Sequence, residues 1–143
     1  MTNARTERGS TLVEFAVLMP FLILLLFGII EFSWLFATNL DVRHGAREAA
    51  RQAATNDLPN PGTPAIDICN LLDLANRTTT KVSISRSGTN IGDGITVTAD
   101  AAAETLTGLL AWAVPSSARL TSTVTLRLEQ PPTWTPVSAV NCP

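Results

Sequence analysis

From Leu12 to Phe36 apolar side chains follow one another with little polar interruption, and the pattern then changes twice before the chain ends. About 25 residues of this kind make roughly 37 Å of helix, enough to cross a bilayer with some tilt. After Phe36 the chain turns polar without losing helix formers. Arg43, Arg47 and Arg51 recur every four residues as a basic stripe, while Ala46, Ala49, Ala50, Ala53 and Ala54 leave the other side nearly flat. The spacing therefore predicts one helix from Ser10 to Ala54, about 67 Å long, half within the apolar span and half projecting as a stem. Pro20 removes the hydrogen bond to the Ala16 carbonyl, so a kink is expected there. The second change is the proline- and glycine-rich stretch around Pro59, Pro61, Gly62 and Pro64, which ends the helix and reads as a linker over 55–64.

Beyond the linker the periodicity is that of a small α+β domain, residues 65–143. Thr63-Pro64 starts a short helix carrying Ile68, Leu71, Leu72 and Ala75 as an apolar stripe, expected to reach about Ala75. Thr80 to Arg86 and Ile95 to Ala99 alternate with period two around a loop rich in Gly, Asn and Asp, the pattern of a hairpin. Leu120, Ser122, Val124, Leu126 and Leu128 form the face of a third strand, giving a three-stranded antiparallel sheet. Between the strands, Ala101 to Val114 with Leu106, Leu109, Leu110 and Trp112 is expected to be an amphipathic helix, lying on the sheet or on the membrane surface. Pro131, Pro132 and Pro136 bar the tail from a central strand.

Composition narrows the function classes. Of 143 residues only 15% are charged, the mean hydropathy is positive, and the net charge is −2. One membrane segment and one small domain fill such a length. No basic footprint for nucleic acid is present, so a nucleic-acid partner is not expected. His44 is the single histidine, without a second ligand at metal spacing, and neither a CxxC pair nor a glycine-rich phosphate loop occurs. No enzyme activity, metal or cofactor is therefore expected. Cys69 and Cys142 both follow the span; in an oxidising compartment they would pair within the chain, the alternatives being two free thiols or a bond to another subunit.

The informative charge is Glu14, at the head of the apolar run. An acidic residue costs on the order of 2.5 to 3.5 kcal/mol at mid-span, and less near the boundary, so it needs a partner. A cut after Gly9 would give Ser10 an α-ammonium one helical turn from Glu14. Gly9, four further residues and Glu14-Phe15, behind a leader with Arg5 and Arg8, resemble the prepilin-peptidase site of type IV pilins. Glu14-Phe15-Ala16-Val17-Leu18-Met19-Pro20, Leu24-Leu25-Leu26, Gly28-Ile29-Ile30-Glu31-Phe32 and Ala46-Arg47-Glu48-Ala49-Ala50-Arg51 resemble the TadE-like family over residues 8 to 54.

The resemblance implies a minor pilin or pseudopilin of the bacterial tight-adherence (Flp) pilus. It further implies a leader at 1–9, processing between Gly9 and Ser10, a mature amino terminus at Ser10 open to N-methylation, and assembly contacts at Glu14 and Phe15. The partners implied are a prepilin peptidase, other pilins and minor pilins, an inner-membrane assembly platform and the lipid bilayer. The amino terminus is placed in the cytoplasm and the domain outside it. That placement follows from the resemblance, because Arg43, Arg47 and Arg51 beyond the span outweigh Arg5 and Arg8 before it. Glu31, at the far end of the span, is expected at the headgroup boundary or paired with a basic residue of a neighbouring subunit as a further assembly contact. The flat alanine side of the stem is expected to pack between subunits. The alternative is an uncleaved single-pass protein whose outer domain binds an envelope partner. A cleaved secretory signal fits poorly, since Leu35-Phe36-Ala37 is not an A-x-A-like site.

Overall fold

The computed structural model describes residues 4–109 and 111–143, with side chains from Gly9 onward. Met1 to Asn3, the side chains of Arg5 and Arg8 in the expected leader, and Leu110 of the expected amphipathic helix lie outside the described residues. The first element, α1 (Ala4–Ala54), is one long helix, helical on both sides of Pro20. It is followed by α2 (Pro64–Asn70), a 3-10 turn (Arg77–Thr79), β1 (Lys81–Arg86), β2 (Gly94–Ala102), β3 (Arg119–Arg127) and β4 (Val137–Asn141).

The strands form one antiparallel sheet in the order β3-β2-β1-β4. Four strands stand where three were expected. The addition is Val137–Asn141, which the flanking prolines obscure in the sequence and which pairs only along the β1 edge, where a missing partner on its other side costs nothing. To reach that edge from β3 the chain crosses the end of the domain through Trp134. Its indole Nε1 donates to the Ala53 carbonyl at 3.0 Å, and its ring lies under the Arg86 guanidinium at 5.1 Å. Cys142, just past β4, is bonded to Cys69 in α2 with the two Cα atoms 5.7 Å apart.

The sheet lays one face on the outer half of α1. Val82, Ile84, Ile95, Val97, Ala99 and Ala101 meet Val42, Ala46, Ala49, Ala50 and Ala53, all buried. Small side chains let the helix backbone approach the sheet closely, so the alanine side of the stem is consumed within the chain and is not free to pack between subunits. The core thus runs across the 55–64 segment. The opposite sheet face is polar, with Thr96 and Thr98 hydroxyls at 3.2 and 3.1 Å from those of Thr125 and Thr123.

Two segments depart from the helices their sequence patterns predict. α2 stops at Asn70 rather than about Ala75, because the Asp41 carboxylate accepts the N–H groups of Asp73, Leu74 and Ala75 at 2.9 to 3.2 Å. A continuing helix would have sent those donors to carbonyls one turn back. The helix expected over 101–114 is not formed among its described residues. β2 runs on to Ala102, which pairs with Arg119, the amides of Leu106 and Thr107 are taken by Glu31, and Gly108 adopts φ +74°, outside the right-handed helical region.

Candidate assembly site on the apolar helix

Among the described residues, one helix is long and apolar enough to cross a membrane, and no residue of the apolar window within it is buried. Leu12, Val13, Phe15, Val17, Leu18 and Phe21 all present large side chains outward, with no internal core to explain them. Gly9, Ser10, Glu14 and Phe15 lie on its first described turns and are exposed. The Ser10 hydroxyl donates to Glu14 Oε1 at 3.3 Å, so positions 10 and 14 are neighbours along one helix face. A Cβ at Gly9 would meet nothing within 4 Å.

Glu31 is positioned otherwise than expected. At 100° per residue it falls about 100° from Glu14 but within about 20° of Val42 and in line with Ala49, on the stripe that faces the domain. Its carboxylate is 1% exposed and sits in a nest made by the 103–118 connection: the amides of Leu106 and Thr107 donate to it at 2.7 and 2.8 Å, and the Thr107 hydroxyl donates as well. The acceptor capacity expected to serve a neighbouring subunit is therefore spent inside the chain. The angular agreement of Glu31 with Val42 and Ala49 was the sequence signal for this. What the periodicity did not disclose was which distant segment would supply the donors.

Below Glu31 the same connection runs beside the apolar helix. Leu109 and Trp112 form one wall of a groove of about 500 Å³ whose other wall is Ala16, Pro20, Ile23 and Phe27. On the stem, Arg43, His44, Arg47 and Arg51 are exposed on the side away from the sheet. The Arg51 guanidinium reaches back to Glu48, with Nε to Oε2 at 2.9 Å, and the Gln52 amide reaches the same carboxylate at 3.0 Å. Arg51 first, then Gln52, hold the Glu48 carboxyl down to about 2. No group of three or more His, Cys, Asp or Glu able to hold a metal occurs among the described residues.

Residues 9–51 match the family model of TadE-like proteins. The TadE-like segment thus begins at Gly9 and takes in the apolar span and most of the stem. No curated protein and no solved structure matches the chain. The sheet domain is not covered by the TadE-like match, which ends at Arg51 on the exposed side of the stem.

Proposed function

We propose that this chain is a structural subunit of tight-adherence pilus assembly, a minor pilin or pseudopilin held in the inner membrane by α1 with its sheet domain on the extracytoplasmic side. The observation that carries this reading is the coincidence of the TadE-like match with an exposed, membrane-length helix whose Glu14 lies one turn from Ser10. In this reading a prepilin peptidase cuts after Gly9. The new Ser10 ammonium then pairs with Glu14 of its own or a neighbouring chain, offsetting the cost of a carboxylate at the head of the span. Other pilins pack on the helix face that carries Glu14 and Phe15. The domain covers a different face, about 100° away, so assembly and domain packing do not compete for surface. The chain itself performs no chemistry.

The test is co-expression with a prepilin peptidase and mass measurement of the mature terminus, for the parent chain and for Gly9→Ala and Glu14→Ala. Because a Cβ at Gly9 has open space around it, that substitution reads peptidase recognition rather than folding. Trimming should fail in Gly9→Ala and persist in Glu14→Ala, whose defect should appear in incorporation. A parent chain that stays intact in the presence of active peptidase favours the uncleaved single-pass alternative.

A further inference from the structure

The connection from β2 to β3 is the part of the domain that its own packing does not explain. From Thr105 to Ala118 it carries no charged side chain, and it exposes Leu106, Leu109 and Trp112, the last at 83%. These side chains cover no core of their own. The charged residues at either end are held on the sheet side, where the Glu104 carboxylate accepts from Asn76 and Thr79 and Arg119 pairs with Asp100 at 2.9 Å.

Depth along α1 gives this loop a location. Leu12 to Ile30 makes roughly 28 Å of helix, about the thickness of a bilayer hydrocarbon core, so Glu31 marks its boundary on the domain side. Phe27 and Ile23 lie about 6 and 12 Å below Glu31 along the axis. Leu109 and Trp112 share a groove with those two residues, which carries the loop tip past the boundary. The apolar surface of the loop is thus continuous with the lipid-facing surface of the span.

We infer that the described part of the uncharged loop after Glu104, carrying Leu106, Leu109 and Trp112, is an interfacial anchor, inserted into the leaflet on the domain side, and that the groove beneath it holds a phospholipid acyl chain. The inference rests on the membrane reading of α1. Insertion requires that backbone polar groups be satisfied away from water, and several here are. Leu106 and Thr107 donate to Glu31, Leu109 donates to the Thr107 hydroxyl at 3.3 Å, and Ala111 donates to the Gly108 carbonyl at 3.1 Å. Glu31 is a positioning residue in this arrangement, since its carboxylate fixes how far the loop descends. An exposed tryptophan at this level has the amphipathic character of aromatic side chains that gather at bilayer boundaries. A fixed loop would also set the tilt and rotation of the domain relative to the membrane.

The full chain is reconstituted into vesicles of phosphatidylethanolamine and phosphatidylglycerol, and flotation establishes insertion of the span. Tryptophan fluorescence of the parent minus that of Trp112→Phe isolates the Trp112 signal from those of Trp34 and Trp134. The expected result is that lipids brominated near the headgroup end of the acyl chain remove most of this signal, while acrylamide in the water removes little. In Glu31→Ala the same signal should become less sensitive to bromine and more sensitive to acrylamide. Normal flotation with a Trp112 signal open to acrylamide and indifferent to bromine overturns the anchor while sparing the membrane reading. Protection from both quenchers overturns it in favour of a covering protein copy. Failure to float overturns both.

Discussion

The Thr107 amide donates to the Glu31 carboxylate at 2.8 Å across a sequence separation of 76 residues. The contact joins the end of the apolar span to the connection between β2 and β3, and so fixes the sheet domain to the helix at a second place, below the alanine stripe. Each partner needs the other. A carboxylate at the edge of the span requires donors, and a loop that leaves its sheet requires acceptors for its amides.

Removing the acceptor should therefore free the loop without unfolding the domain. In Glu31→Ala, amide exchange at Leu106 and Thr107 should accelerate by about tenfold or more, the response of a locally opened hydrogen bond, while exchange in β1 and β2 stays unchanged. Thr107→Val, which removes one donor and leaves two amides in place, should have a smaller effect. Hydrogen exchange read by mass spectrometry in detergent micelles checks both. Uniform acceleration across the sheet would contradict a local role.

The two sides of the stem should respond unequally to substitution. Ala50→Leu adds a branched side chain to a fully buried position facing the sheet and should cost about 1 to 3 kcal/mol by overpacking. Arg47→Ala, on the exposed side, should change stability by about 0.5 kcal/mol or less. Thermal melts of the two variants followed by near-ultraviolet circular dichroism separate them. If Ala50→Leu melts like the parent, the sheet does not rest on this stripe in solution.

The span, the stem and the hairpin are legible because each has a local cause. Apolar continuity from Leu12 to Phe36, alanine and arginine spacing through Arg51, and alternation around Val82 and Val97 all act between residues close in sequence. What escaped was set by partners far away. Leu106, Leu109 and Trp112 have helical spacing, yet Glu31 and the turn at Gly108 draw that segment into a loop. Leu71, Leu72 and Ala75 continue the stripe of α2, yet Asp41 captures the amides that would have continued the helix. Val137–Asn141 is hidden by prolines that matter only for a strand flanked on both sides. At the candidate site, the exposed helical placement of Gly9, Ser10, Glu14 and Phe15 is legible from the apolar pattern. The role of Glu31 is not, because a carboxylate near a membrane boundary looks the same whether its partner is water, another subunit or a loop of its own chain.

Gly45 marks a close approach that no periodicity reveals. A Cβ there would come 2.5 Å from Leu72 Cδ2 and 2.9 Å from the Leu71 carbonyl oxygen. The leucine methyl can rotate away, but the carbonyl belongs to a backbone tied on both sides, by the Leu71 amide to Ile68 and by Asp41 to the residues just after it. Gly45→Ala gains about 1 kcal/mol of helix propensity and loses about 1 to 3 kcal/mol to the clash, so a net destabilisation is expected where an exposed helical glycine would give a gain. Gly28→Ala, with nothing within 4 Å of the added carbon, is the matched control and should not destabilise the domain. Paired thermal melts decide the sign.

Glu48 gives the stem a pH dependence whose direction is fixed by its partners. Arg51 and then Gln52 bond the carboxylate, lowering it from an ordinary value of 4.5 to about 2. A depressed carboxyl contributes stability that is fully present above the unfolded value and is lost as pH falls from about 4.5 through about 2. The Arg51 side chain is exposed and Glu48 only half-buried, three residues apart on one helix, so the pair's contribution is small and screened by salt. Glu48→Gln should therefore lower the melting temperature slightly at pH 7 and low ionic strength. Its deficit against the parent should shrink as salt is added, and should become small at the acid end of the window, where about half of the parent's carboxylate is protonated and most of the linked stability is gone. A deficit that persists unchanged at pH 2 would mean that Glu48 acts through packing rather than charge.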